Sequence, residues 1–256
     1  MTKIIDTHTH LYLPEFKQDI KAVIDRADAE NIIRFYLPNI DSEVIDDMLE
    51  LEKKFPGKCF PMMGLHPCSV KENYKEELQL LEEWLNKRKF VAVGEIGLDY
   101  YWDITFREQQ IEAFQLQIDW ALKYDIPIVI HSRNSLQDCI DIVRQKQNGK
   151  LKGIFHCFSG NANEANQIID LNFLMGMGGV ITYKNSGMAE VVAGIDIKHL
   201  VLETDAPYLT PVPFRGKRNE PSYLKYVVEK IAMVKNISTE EVASVTTQNA
   251  KNLFGS

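Results

Sequence analysis

Histidines recur in this chain at one kind of position, the polar turn that follows a short apolar run. Five of the six histidines lie there, and an acidic residue ends each of two further runs. These residues are His8, His10, His66, His131, His156, Glu95 and Asp205. Imidazole and carboxylate groups together bind divalent metals such as Zn²⁺, Mn²⁺, Fe²⁺, Co²⁺, Ni²⁺ or Mg²⁺. A single histidine is more commonly a hydrogen-bonded core or surface residue, but the shared position of the whole set predicts a metal site.

The pair His8 and His10 gives the sharpest indication. Alternate residues of an extended strand point to the same side, about 6–7 Å apart, so two imidazoles spaced in this way can bind one ion. All of the set except His66 are expected to be ligands, and six ligands exceed what one tetrahedral ion with an open position needs. Two ions that share a carboxylate use them without excess. Glu95, midway between the two groups of histidines, is the natural bridge.

A parallel β/α barrel would bring these scattered residues together. Eight short apolar runs are suited to buried strands, and amphipathic stretches suited to helices separate them. The predicted strands are Lys3–Asp6, Ile33–Leu37, Cys59–Met63, Phe90–Gly94, Pro127–Ile130, Gly153–Phe155, Phe173–Gly178 and Leu200–Leu202. The strands of such a barrel all end on one face, where its active sites lie. The sequence therefore predicts an α/β fold, a (β/α)₈ TIM barrel with the metal site at the C-terminal ends of the strands. A doubly wound open sheet is the alternative, and only the strand count argues against it.

Two helix starts are predicted from capping boxes, in which a hydroxyl residue and a glutamate three positions later satisfy each other's backbone N–H groups. Thr105 with Glu108 predicts the start of one helix, and Ser238 with Glu241 predicts the start of a last helix after the eighth strand.

Length and composition indicate a single domain, residues 1–256, since a barrel of this kind takes about 250 residues. The balance of 29 basic and 36 acidic residues, net charge −7, argues against a protein that coats a nucleic-acid backbone, although a few placed cations can bind DNA locally. Four scattered cysteines without a CxxC pair indicate reduced thiols. The chain has neither a secretion signal at its start nor a run of about 20 apolar residues. We therefore expect a cytoplasmic protein without membrane contact or an obligate protein partner.

The motifs around these residues resemble those of the TatD-like metal-dependent deoxyribonucleases, within the amidohydrolase-type barrels. Seven ordered motifs carry the resemblance over nearly the whole chain: IDTHTHL at 5–11, GLHP at 64–67, VGEIGLDY at 93–100, IHSR at 130–133, FHCFSG at 155–160, LETDAPYL at 202–209 and RGKRNEP at 215–221. The implied ligands form two sets that Glu95 bridges, namely His8, His10 and Asp205 on one metal and His131 and His156 on the other. The resemblance also implies 3′-to-5′ exonucleolytic hydrolysis of DNA, chiefly at single-stranded ends.

Several neighbours of the ligands are further candidates. Asp6 and Glu203 each lie two residues before a ligand on the same strand face, so they either orient imidazoles from behind or form ordinary hydrogen bonds inside the barrel. His66 is expected to contact a substrate phosphate rather than a metal. Arg133, two residues after His131, is expected to face the same cavity and bind substrate.

A basic loop follows the eighth strand and carries Arg215, Lys217 and Arg218. From the residues alone, a solvated surface and a substrate contact are equally good interpretations. The family resemblance favours a role in gripping phosphate or positioning the loop, because the arginine fork matches phosphate oxygens.

Two metals would lower the pKa of a water between them and bind a phosphate oxygen, so the hydroxide formed there is the expected nucleophile. Asp205 is expected to orient that water and accept its proton, with Glu95 holding the metals. The same chemistry suits an amidohydrolase or an aminoacyl-tRNA or other ester hydrolase, which is the alternative function. Related small-molecule amidohydrolases often carry a carboxylated lysine at the position of Glu95. The glutamate here therefore favours the deoxyribonuclease function over the amidohydrolase alternative. A non-catalytic metal-binding module is a third possibility, and the complete ligand set argues against it.

Overall fold

The computed structural model describes residues 2–255, whose eight short strands are parallel and almost entirely buried. Their aliphatic runs follow from burial on both faces, inside the barrel and beneath the helices. The strands are β1 (Ile4–Asp6), β2 (Ile32–Leu37), β3 (Cys59–Pro61), β4 (Val93–Asp99), β5 (Ile128–Arg133), β6 (Gly153–Phe155), β7 (Leu174–Met177) and β8 (Leu200–Leu202).

Hydrogen bonds join the strands into two runs, β1 to β3 and β4 to β8, in chain order. A parallel bridge between Met63 and Val93 connects the two runs on one side. On the other side the backbone N–H and the hydroxyl of Thr7 both donate to the carbonyl of Leu202, each at 2.9 Å. The sheet therefore closes on itself, so the (β/α)₈ barrel is confirmed and the open-sheet alternative is wrong.

Helices follow the strands and cover the outside of the barrel. Among residues 2–255 they are α1 (Ile20–Ala29), α2 (Ile45–Lys54), α3 (Tyr74–Lys87), α4 (Arg107–Tyr124), α5 (Leu136–Lys146), α6 (Ala162–Asp170), α7 (Met188–Gly194), α8 (Leu224–Lys235) and α9 (Thr239–Phe254). None of these helices has the length and apolar character that crossing a membrane requires.

A small apolar cluster that draws on most of the strands is separate from the main core, and α9 packs against it through Ala250 and Leu253. Val129 of this cluster precedes His131 by two positions on β5. Val201 likewise precedes Glu203 at the end of β8. Because alternate strand residues share a face, the polar site rests directly on this apolar layer.

The starts of the helices agree less well with the sequence prediction than the strands do. The helix α4 begins at Arg107 without a side-chain cap, so the capping box of Thr105 is wrong; the N–H of Thr105 instead donates to Asp103 at 2.9 Å. Ser238 is confirmed as the N-cap of α9, where its hydroxyl accepts from the N–H of Glu241 at 3.1 Å. A reciprocal capping box does open α6, at residues 161–164.

The fourth strand also differs from the prediction. The sequence predicts a strand at 90–94 that Glu95 ends, whereas β4 runs from Val93 to Asp99 and contains Glu95 in its interior. The apolar signal stops at Gly94 because the rest of this strand alternates glycine and acidic residues with isoleucine and leucine. The extension carries the strand past the metal site to the mouth of the barrel.

Candidate metal centre

Glu95 lies at the centre of the polar site, and its two carboxylate oxygens face different imidazoles. Oε2 lies 3.1 Å from Nε2 of His8 and 3.6 Å from Nε2 of His10. The Oδ1 atom of Asp205 lies 3.6 and 3.5 Å from the same two nitrogens. These four residues form one group of atoms that could surround a metal ion.

The other carboxylate oxygen of Glu95 faces a second group. Oε1 lies 2.9 Å from Nδ1 of His131 and 2.9 Å from Nε2 of His156. Nε2 of His66 is 3.5 Å away from the same oxygen. The structure thus brings together all six residues predicted as ligands, with Glu95 between the two groups. It also places His66, which was expected to contact phosphate, where it could bind the second metal.

The donor atoms fit divalent cations. In three sets of residues, the potential ligand atoms all lie within 4.8 Å of one another: His8, His156 and Asp205; His8, His10 and Glu95; and His66, Glu95 and His131. Within residues 2–255, neither ring nitrogen of the buried His8 has a hydrogen-bond partner, because Oε2 of Glu95 lies 3.1 Å from Nε2 without hydrogen-bond geometry. A buried polar atom left in this way is costly in a folded protein unless something binds it. A metal at Nε2 of His8 would satisfy one of the two nitrogens.

The electrostatics of the site also suit cations. Burial opposes ionisation of Glu95, but the surrounding imidazoles, His156 and His8 foremost, hold the pKa of its carboxyl well below the usual range. The pKa of Asp205 is lowered against burial in the same way, chiefly by His10. Burial and the neighbouring His156 lower the pKa of His8, which favours the neutral imidazole that binds metals. The centre therefore offers ionised carboxylates beside one neutral imidazole, that of His8. Burial lowers the pKa of His10, His131 and His156, but the neighbouring carboxylates outweigh it and raise the pKa of all three, so a cation would bind them in place of protons.

Asp99 is a functional candidate that sequence reasoning missed. Its Oδ2 lies 2.8 Å from Nε2 of His131, whose other nitrogen faces Glu95. A carboxylate in this place accepts a hydrogen bond from Nε2–H, so Nδ1 carries no proton and its lone pair is free for a metal. This is a common way to orient a metal-binding histidine. Burial raises the pKa of Asp99, but the hydrogen bonds from His131 and from the N–H groups of Tyr101 and Trp102 together outweigh it and lower the pKa. The signal was available, since Asp99 is an acidic residue four positions after Glu95 in the VGEIGLDY motif.

Tyr12 holds His10 in a comparable way and was also missed. The hydroxyl of Tyr12 donates to the carbonyl of Pro38 at 2.5 Å and lies 2.9 Å from Nδ1 of His10. Because the hydroxyl donates its proton to Pro38, it accepts a hydrogen bond from Nδ1–H of His10. In the neutral imidazole, Nε2 of His10 therefore carries no proton, and its lone pair points toward Asp205. The sequence placed Tyr12 beyond the first strand, with nothing to connect it to the histidine.

Glu203 lies behind His156, as one interpretation of the sequence expected. Its Oε1 is 3.5 Å from Nδ1 of His156 and accepts a hydrogen bond from the N–H of Cys157. A side chain at Gly176 would bring its Cβ to within 2.0 Å of Oε2 of Glu203, so only glycine leaves room for this carboxylate.

Asp6 follows the other interpretation and forms hydrogen bonds inside the barrel. It accepts from the N–H of His8 at 3.3 Å and from the N–H of Thr204 at 3.0 Å, and its second oxygen accepts from the Thr204 hydroxyl at 2.6 Å. It therefore fixes the backbone that carries His8 and joins it to the end of β8. Of the two interpretations of Asp6, its contacts favour hydrogen bonds inside the barrel over orientation of an imidazole.

The basic residues fall into two classes. Arg133 lines the cavity of about 720 Å³ that opens over the centre, as expected. Arg215, Lys217 and Arg218 are not among the described residues that line it. Both terminal nitrogens of Arg218 donate to Asp19, at 2.8 and 2.7 Å, so its fork is already occupied. This contradicts a phosphate contact by Arg218 and supports the alternative that it positions the loop.

Arg215 and Lys217 remain predictions as substrate contacts. The Arg215 guanidinium lies over the ring of Tyr183 at 4.2 Å, and the Lys217 ammonium lies 5.6 Å from the ring centroid of Phe214. The Arg215 contact joins this loop to the segment after β7, and neither side chain is among the described residues that line the cavity.

Comparison with known proteins gives a consistent result. The family model for TatD related DNase matches residues 5–255. An uncharacterized metal-dependent hydrolase of Bacillus subtilis, YabD, is 40% identical over 252 residues, covering 98% of each chain. The structure of YjjV, a TatD homologue from Escherichia coli, matches with a TM-score of 0.93 at 30% identity, over 99% of this chain and 98% of that one. A TatD family hydrolase from Entamoeba histolytica matches with a TM-score of 0.85 at 25% identity, over 98% of each chain. The family resemblance seen in the motifs is confirmed.

Proposed function

The chain belongs to the family of TatD-related DNases and is a metal-dependent hydrolase, and from this premise we propose that it hydrolyses phosphodiester bonds of DNA at single-stranded 3′ ends. The observation that carries the proposal is the carboxylate of Glu95 set between two groups of imidazoles under an open cavity. Paired divalent metals are a recurring solution for phosphodiester hydrolysis.

The residues divide the expected metals between them. One ion would be bound by His8, His10 and Asp205, and the other by His131, His156 and His66. Both ions would share Glu95. Two divalent cations in these positions would supply an acidified water and neutralise charge on a phosphate. Asp99 and Tyr12 would hold two of the imidazoles at the orientation this requires.

Asp205 is the group best placed to accept the proton of the attacking water. Both oxygens of Glu95 face imidazoles, and its side chain is only 3% exposed, whereas that of Asp205 is 15% exposed and borders the cavity. Oδ1 of Asp205 faces the histidines, which leaves Oδ2 to hold a water and take its proton. A positive φ of 54° turns the chain at Asp205 immediately after β8. This left-handed conformation is uncommon for a residue other than glycine and is frequent at functional sites.

The cavity suits a short anionic segment. Its charged lining consists of the carboxylates and imidazoles at the base and Arg133 at the rim, so a phosphate would be held mainly by metals and by this one arginine. Few cations at the site imply few displaced counterions. The logarithm of the DNA binding constant should therefore fall with the logarithm of the salt concentration at a shallow slope, about −1 to −3 for a single strand. A slope near −10, typical of a protein that coats duplex DNA, would contradict the proposal.

The test is hydrolysis of single-stranded oligonucleotides labelled separately at each end by the metal-loaded protein. We expect mononucleotides to be released from the 3′ end, with loss of activity in chelator and in Asp205→Asn. A matched Asp19→Asn variant changes a carboxylate outside the cavity and should keep the activity. Hydrolysis of amide or aminoacyl-ester substrates without any release of nucleotides would overturn the proposal in favour of the amidohydrolase alternative.

A further inference from the structure

The loop between β4 and α4 exposes large apolar side chains beside the candidate metal centre. Trp102 is 69% exposed and Tyr101 is 52% exposed, and Trp102 lines the same cavity as Glu95 and Asp205. Single exposed apolar residues are ordinary, but a group of them at the rim of a polar cavity indicates a binding surface.

Arg133 completes this surface from the neighbouring strand. Its guanidinium carbon lies 3.7 Å from the centre of the Tyr101 ring and 5.1 Å from that of Trp102. The two rings meet edge to face, with centres 4.9 Å apart at 86°. Arg133 borders the cavity as well, so flat aromatic surface and positive charge occur together on one wall. We refer to Tyr101, Trp102 and Arg133 as the aromatic platform.

The aromatic platform is tied directly to the metal centre. One oxygen of Asp99 accepts from the N–H groups of Tyr101 and Trp102, at 2.9 and 3.2 Å. The other oxygen lies 2.8 Å from Nε2 of His131. A single buried carboxylate therefore fixes the platform loop and a candidate metal ligand relative to each other. Such a connection is expected if both act on the same substrate molecule.

We propose that Trp102, supported by Tyr101 and Arg133, stacks an unpaired nucleobase of the strand whose phosphate lies on the metal centre. The inference rests on the proposed function, because it names the part of DNA that this surface would bind. Every base has an aromatic face, so stacking on tryptophan tolerates any sequence, and an adjacent arginine adds attraction for the base and for phosphate. A base can stack on Trp102 only where no neighbouring base covers that face, so the platform favours the ends of strands and unpaired bases.

The experiment pairs a change in the protein with a change in the DNA. KM and kcat are measured for the wild type, Trp102→Ala and Trp102→Phe on a single-stranded oligonucleotide and on the same strand with abasic sugars at its two 3′-terminal positions. Binding to metal-loaded protein is measured separately, with strands carrying phosphorothioate linkages that slow hydrolysis. The matched control is Ile104→Ala, which removes an apolar side chain of the same loop with 67% exposure.

On the intact strand, Trp102→Ala should raise KM and the dissociation constant by about 5- to 100-fold, the range found for loss of one base–aromatic stack. Trp102→Phe should retain most of the affinity, and Ile104→Ala should stay within about twofold, as most surface changes do. On the abasic strand the wild type should already bind weakly, and Trp102→Ala should add nothing. This non-additivity identifies a direct contact between tryptophan and base.

Equal losses on both strands, or no loss on either, would overturn the inference while leaving the nuclease proposal in place. A change of oligomeric state in Trp102→Ala, with DNA binding intact, would also overturn it and make the platform a protein interface. If the wild type releases no nucleotides but still binds the intact strand through Trp102, the platform stands and the nuclease proposal fails. Absence of any DNA binding by the wild type overturns both.

Discussion

Two clusters of charged residues in this protein differ in how their polar groups are paired. One is the metal centre, and the other is a group of four residues that ties the loop after β8 to the start of α1. In this loop clamp, made of Asp19, Arg26, Arg218 and Glu220, each arginine pairs with both oxygens of a carboxylate. Arg218 contacts Asp19 at 2.8 and 2.7 Å, and Arg26 contacts Glu220 at 2.8 and 2.6 Å.

In the metal centre the polar groups are not matched in this way. Two carboxylates face several imidazoles, and no group in the described part of the chain forms a hydrogen bond with either ring nitrogen of the buried His8. The centre of its ring lies 3.8 Å from that of the His156 ring, and the two rings are stacked. This arrangement places two potential metal ligands side by side, not a hydrogen-bond donor beside an acceptor. The loop clamp is complete within the protein and stabilises the fold, whereas the metal centre becomes complete by binding cations. Substitutions should therefore affect stability in one cluster and activity in the other.

The largest effect is expected for Glu95→Ala. Removing the shared carboxylate should lower kcat/KM by at least about 100-fold, since even the loss of a residue that orients a metal ligand costs 10- to 100-fold. The barrel should still unfold cooperatively, because the carboxylate lies above the apolar layer. Steady-state hydrolysis beside metal analysis checks this, with Arg218→Lys as the control that keeps activity. Full activity in Glu95→Ala would remove the distinction between the two clusters.

Metal binding should be visible in thermal stability. A cation at 100 times its dissociation constant stabilises the folded state by about 2.7 kcal/mol. For a chain of this size that corresponds to a rise in Tm of roughly 5–11 °C. Scanning calorimetry with and without chelator should show this rise in the wild type and in Glu220→Gln, but a smaller one in Glu95→Ala. An equal rise in all three proteins would mean that the cations bind elsewhere.

The loop clamp should show the reverse pattern. Glu220→Gln removes the charge that faces Arg26, and we expect a loss of about 1–2 kcal/mol in the free energy of unfolding. The side chain of Glu220 is 7% exposed, but that of Arg26 is 45% exposed, so solvent reduces the cost below that of a fully buried pair. Urea unfolding measures the loss, and kcat/KM should stay within about threefold. A large loss of activity with unchanged stability would show that this loop takes part in catalysis.

The smallest expected effect is the pH dependence of that stability. Burial raises the pKa of Glu220, but the hydrogen bonds from Arg26 and Ser222 and the charges of the two arginines together outweigh it and lower the pKa. The hydrogen bond from Arg218 lowers the pKa of Asp19. A carboxyl with a lowered pKa in the folded state stabilises the protein fully above its unfolded value, about 4. That stability is lost as the pH falls through the folded value.

The stability difference between the wild type and Glu220→Gln should therefore be constant from pH 7 to about pH 5 and shrink as the pH falls below 4. Urea unfolding at a series of pH values checks the trend. A difference that grew toward low pH would mean that the carboxyl is stabilised in its protonated form.

The convergence of the candidate metal ligands could be predicted from the sequence because their positions follow from a rule that acts along the chain. Parallel strands all end on one face, so residues such as His8, Glu95 and Asp205 converge wherever the barrel closes, whatever path its loops take. The spacing of the two histidines in HxH and the division of the chain into eight βα units required no knowledge of distant contacts. The apolar runs located the other strands well but missed the ends of β4 and β5, which continue to Asp99 and Arg133 beyond their apolar residues.

Only the tertiary structure decided what the loops and supporting residues do. Arg133 is the last residue of β5 and Arg218 lies in the loop after β8, but Arg133 borders the cavity and Arg218 is held by Asp19, 199 positions away in the chain. Asp99 orients His131 because β4 continues beyond its apolar run and lies beside β5. Side chains of this kind are placed by hydrogen bonds between elements far apart in sequence. Strand polarity is a local property that the sequence carries, whereas the partner of an arginine or a carboxylate in a loop exists only once the barrel has closed.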